Sequence, residues 1–136
     1  MFKELYKSID PKAIHAVVLT LSYVAGIRDV LKEIGPEKID ISTIKNIAYT
    51  LGDLSNLLKK YESELVMYLP KSTAPEHYSN GWEELVVAID SARYAIEDKA
   101  LELYREDRKL EAYGMVLEKL DYLIYMITYI ISVNYF

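Results

Sequence analysis

The chain has 136 residues, 51% hydrophobic and 27% charged, with a formal net charge of -5. That is enough to bury a core without disulfides or metals, and too apolar for intrinsic disorder. The acidic balance argues against a broad electrostatic grip on nucleic acid, and the lack of cysteine excludes disulfides, thiolate catalysis and cysteine-bound metal.

Phe2, Leu5, Tyr6 and Ile9 have i, i+3, i+4, i+7 spacing and predict a short amphipathic helix near residues 2–8. The surrounding MFKELYKSIDPK is charged and lacks the apolar core of a signal peptide, which points to a cytoplasmic protein. Asp10-Pro11 starts the next helix: Asp accepts from free amides and Pro is tolerated in the first turn. Ile14, Val17, Val18, Leu21, Val24, Ala25 and Leu31 form its stripe, and Gly35-Pro36 stops it, giving a helix near 11–34.

A further helix begins at Asp40 or Ser42 and is expected over 41–69. Its stripe is Ile44, Ala48, Leu51, Leu54, Leu58, Tyr61, Leu65 and Leu69, closed by Pro70. Residues 71–81 read as the longest loop. Asn80 and Glu83 form a capping box for a helix near 81–104, with Trp82, Leu85, Ile89, Ala92, Ile96 and Leu103 inward. A rod from 81 to 134 would be about 80 Å long, too long for a compact domain of this size. A tight turn is therefore expected at 105–109, with Asp107 capping a last helix over 108–134. Gly26 and Gly52 lie inside helices. There a glycine costs about 1 kcal/mol against alanine, and either marks a close helix crossing or is simply tolerated.

No run shows sustained period-two alternation and no internal repeat is convincing. The reading is all-α: one domain over 1–136, an antiparallel four-helix bundle with a short N-terminal helix.

The search for chemistry finds little. A dimetal bundle needs Glu-x-x-His pairs, and neither His15 nor His77 follows a Glu by three residues. No G-x-S-x-G frames a nucleophile, and the five glycines form no phosphate loop. Glu83, Glu84, Asp90 and Glu97 read as a solvated helix face. No catalytic residue, metal or cofactor is assigned, and the chain is read as not an enzyme. The Arg-x4–6-His motif of HEPN-type ribonucleases is missing. Lys99, Arg105, Arg108 and Lys109, with Tyr94 and Tyr104 nearby, form a possible nucleic-acid contact. Glu102, Glu106, Asp107 and Glu111 interleave with them, so intrahelical ion pairs explain the cluster better.

The end of the chain is its most extreme stretch. Residues 122–136 carry no charged side chain. A membrane span needs about 20 apolar residues, and extending upstream brings in Glu118, Lys119 and Asp121. At helical phase Leu120, Leu123, Ile124, Met126, Ile127, Ile130, Ile131 and Val133 fill one half. Tyr122, Tyr125 and Tyr129 share the other with Glu118, Asp121, Thr128 and Ser132. Tyrosine stands where charge is usual, and its apolar ring with a polar tip suits a protein contact.

The function expected is that of a non-enzymatic assembly or adaptor protein, a homodimer or a binder of another protein, acting through Tyr122, Tyr125, Tyr129, Ser132 and Phe136. The alternative is a small helical subunit of an RNA- or DNA-associated complex, comparable in size and class to those of archaeal CRISPR effectors. Absence of glutamine and cysteine, with abundant Ile, Tyr, Lys and Glu, suggests a thermophile and an archaeal source.

Overall fold

The computed structural model describes residues 11–61 and 81–135, with side chains described over 15–61, 84–129 and at 131. The N-terminal helix expected at 2–8 and the loop at 71–80 lie outside the described residues. The second helix, expected to run to 69, ends at Lys60, where the Tyr61 N–H turns back to the Leu58 carbonyl at 3.0 Å; residues 62–69 lie outside the described residues. So do the side chains of Trp82 and Glu83.

The described residues form four helices and no strand. Helix α1 is Pro11–Ile34 and α2 is Ile41–Lys60. Helix α3 is α-helical over Gly81–Ala95, π-helical over Ile96–Ala100 and α-helical again over Leu101–Arg105. Helix α4 is Lys109–Tyr135. They pack in a ring: α2 on α3, α3 on α4, α4 on α1, and most lightly α1 on α2. The α1–α2 connection at Pro36 and Glu37 meets the α3–α4 turn at Asp107 and Lys109, so one end of the bundle holds both short turns.

The core is aliphatic. Val17, Val24 and Leu31, seven residues apart, put α1 into it, with Ala16 and the buried Thr20 beside them. The Thr20 hydroxyl donates to the Ala16 carbonyl at 2.8 Å, which lets a polar residue sit there without an unpaired group. Val18, expected in the stripe, is 44% exposed; the buried face is turned toward 16 and 20 instead. Helix α2 contributes Ile44, Ile47, Leu51, Leu54 and Leu58, and α4 contributes Val116, Leu120, Leu123 and Ile127.

Helix α3 shows why its predicted stripe drifts. Leu85, Ile89, Ala92 and Ile96 are buried as the 3.6-residue period requires. The π turn then adds a residue and rotates the phase. Ala100 and Leu101 therefore enter the core, and Leu103, expected there, is half-buried.

The ends are set by three local devices. Gly35 has φ 79° and donates its N–H to the Leu31 carbonyl at 2.9 Å, as a helix-ending glycine does. The same carbonyl accepts from the Tyr113 hydroxyl at 2.8 Å, which ties α4 to the last turn of α1. Asp40 caps α2: its carboxylate accepts from the Thr43 N–H at 2.7 Å and the Thr43 hydroxyl at 2.8 Å.

The turn at 106–108 is where expected, yet its chemistry differs. Asp107 has φ 63°, donates its N–H to Tyr104 at 3.1 Å, and is followed by Arg108 donating to Leu103 at 2.9 Å. That double bond pattern ends a helix. Asp107 thus terminates α3, in the role usually given to glycine, and Arg108 is the residue that precedes α4.

Candidate functional site

The outer face of α4 is built by one helix with two unlike halves. Leu120, Leu123 and Ile127 are fully buried, and Ile124, Met126 and Ile131 pack partly buried against them. On the other half Tyr122 is 56%, Tyr125 70% and Tyr129 50% exposed. The spacing of 3 and 4 residues sets the three rings in one ridge along the helix. Ser132 lies on the same helix, its side chain outside the described residues, as is Phe136.

The ridge has a polar flank on one side and a groove on the other. Asp121 lies 3.5 Å from the Arg28 guanidinium, an ion pair joining α4 to α1. Toward α3, Tyr122 and Met126 face Val87, Ala88 and Ala92 across a groove of about 400 Å³ that Glu84, Ser91 and Lys119 also line. Val87 is 63% exposed, so the apolar surface continues from α4 onto α3. Such a surface suits a protein contact, since Tyr offers large area with few rotatable bonds.

The predicted nucleic-acid contact is spread along α3 and across the turn. Lys99 sits on the π turn and Arg105 on the last turn of α3, both exposed. Arg108 is engaged by Glu111, its Nε donating to Oε1 at 3.1 Å and Nη2 to Oε2, and by Glu106 at 3.5 Å. Glu111 first, then Glu106, hold its guanidinium charged still more firmly than usual. Lys109 places its ammonium 5.4 Å from the centre of the Tyr104 ring. Exposed Glu102, Glu106, Asp107 and Glu111 lie among these cations, so the patch carries little net field.

The acidic residues of α3 are not a solvated face throughout. Asp90 accepts from the buried Ser55 hydroxyl at 2.7 Å and pairs with Lys59 at 3.2 Å, binding α3 to α2. Glu97 faces Arg93 Nε at 3.5 Å. The Arg93 guanidinium rests on Gly52, where an added Cβ would stand 3.2 Å from it. Gly52 is thus the close approach that the sequence left open. At Gly26 a Cβ would meet nothing within 4 Å. Sequence reasoning missed the Gly52–Arg93 contact and the Ser55–Asp90 bond. Only a polar residue at a buried α2 position hinted at the second.

Among the described residues no three His, Asp or Glu come together to hold a metal ion, and His15 is exposed. No helix among them is long and apolar enough to cross a membrane. No protein-family model, curated protein or solved structure matches the chain.

Proposed function

We propose that this chain is a non-enzymatic assembly protein of a thermophile's cytoplasm that associates with itself through the tyrosine ridge of α4, with two copies as the smallest assembly. One observation carries the reading: Tyr122, Tyr125 and Tyr129 are each at least half exposed on a helix whose opposite half buries Leu120, Leu123 and Ile127 in the core. Three rings at least half exposed stand in line there, on a surface where charge would serve solubility. The ridge also lies in the stretch without charge, on a chain whose net charge is -5.

Size-exclusion chromatography with light scattering tests this. The expected mass exceeds the 15.7 kDa of one chain. Tyr125→Glu returns it to one chain without loss of helicity, because a charge at the centre of an apolar contact is strongly unfavourable. A strict monomer at every concentration defeats the proposal.

The Lys109–Tyr104 contact and the exposed Lys99 and Arg105 favour a second reading, a small subunit of a nucleoprotein complex. It requires RNA or DNA binding that weakens steeply with salt and is lost in Arg105→Ala, Arg108→Ala.

A further inference from the structure

The seam between α1 and α2 holds a groove of about 570 Å³, within the size range of small-molecule sites. Ile27, Leu31 and Ile47 form its floor, partly to fully buried, and Tyr23 and Val30 form walls that are each more than half exposed. Gly26 widens the middle, since an added Cβ would meet nothing within 4 Å. The polar part of the lining carries no charge. The Ser22 hydroxyl donates to the Val18 carbonyl at 3.1 Å and the Thr50 hydroxyl to the Asn46 carbonyl at 2.9 Å, while Thr43 serves the Asp40 cap. Those donors are engaged within the protein. The Asn46 side-chain amide, exposed at the rim, makes no hydrogen bond among the described residues.

We infer that this groove binds a small uncharged amphiphile, with an apolar chain or ring system laid on Ile27, Leu31 and Ile47 and one neutral hydrogen-bonding head at Asn46. The electrostatics of the lining select that head. A carboxylate or phosphate would find no Lys or Arg among the lining residues, and an ammonium would find no Asp or Glu. A charge brought against apolar walls without a partner is unfavourable, whereas an amide both donates to and accepts from a hydroxyl or carbonyl. No lining residue belongs to α4, so the site is separate from the tyrosine ridge.

Titration of the full chain with an uncharged naphthylamine dye, which fluoresces in apolar surroundings, tests this. One dye per chain is expected to bind. Decanol is expected to displace it, and decanoate and decylamine to do so at least about tenfold more weakly. The amine is the stringent control, because a net charge of -5 attracts it wherever binding is unspecific. Gly26→Leu fills the groove from a position with free space and is expected to weaken the dye at least about tenfold with helicity kept. Val30→Asp, a charge on an exposed wall, is a second variant with the same expectation. Tyr125→Glu is expected to bind the dye as the parent does. A parent that binds no dye, either groove variant binding it unchanged, or decylamine competing as well as decanol overturns the inference. So does loss of the dye in Tyr125→Glu, which would place it on the ridge. A fall in assembled mass in Gly26→Leu, with no dye bound by the parent, would make the groove a protein contact and also overturn it. None of the expected results depends on the mass of the parent, so this site and the self-association stand or fall separately.

Discussion

Helix α2 has two neighbours and meets them in opposite ways. Its seam with α3 is closed and polar: Gly52 admits the Arg93 guanidinium, and Asp90 bridges Ser55 and Lys59. Its seam with α1 is open and apolar, with hydroxyls folded back on their own helices. Close packing of small residues needs polar groups to find partners across the gap. A wide gap needs none, but leaves apolar surface in water. The seam with α3 therefore ties α2 into the fold through polar bonds as well as apolar packing, and the seam with α1 does so through apolar contact alone.

That contrast is breakable by substitution. The largest effect is expected in the core. Leu51→Ala, at a fully buried site, is expected to cost about 2–5 kcal/mol, whereas Val30→Ala, 54% exposed on the groove, costs within about 0.5 kcal/mol. Chemical denaturation separates the two, and equal costs would erase the distinction between the seams. Next comes Asp90→Ala, which strands the buried Ser55 hydroxyl and the Lys59 ammonium. A loss of about 1–3 kcal/mol is expected in the same measurement.

The two glycines sharpen the comparison. Both substitutions to alanine gain about 1 kcal/mol of helix propensity. Gly26→Ala meets open space and keeps the gain, while Gly52→Ala must displace Arg93 at a cost of about 1–3 kcal/mol and ends neutral or destabilising. Smaller again, Asp107→Gly relieves a left-handed backbone at the end of α3 and is expected to stabilise by about 0.5–1 kcal/mol.

The smallest effect is a pH dependence at Asp40. The Thr43 amide and then its hydroxyl hold this carboxyl below its ordinary value. A lowered folded-state pKa means that the cap's contribution is complete above the ordinary carboxylate range and is lost as pH falls through the folded value. Thermal melts of the parent and Asp40→Ala are therefore expected to converge on acidification, and a constant gap down to the acid limit would contradict the assignment.

The helices were legible because apolar residues recur at helical spacing and because Gly35 and Asp40 are strong local signals. The division of α4 into aliphatic and tyrosine halves was legible for the same reason, since burial follows phase. The π turn was not, because Ile96–Ala100 contains no Gly or Pro to mark it, and so Leu103 was placed where Ala100 and Leu101 belong. Asp107 was read as a helix start because Asp commonly caps, and only its left-handed backbone reveals the opposite role. The Arg93–Gly52 contact and the open groove depend on how far apart two helices stand, and spacing along one chain carries no information on that distance.

The central claim is that the tyrosine ridge of α4 is a contact surface. Light scattering on the parent chain and on Tyr125→Glu across a wide concentration range tests it most directly. The account predicts a parent mass above 15.7 kDa that rises with concentration, and a variant held at 15.7 kDa with unchanged helicity. A parent that stays at 15.7 kDa throughout, or a variant that assembles as the parent does, would contradict it.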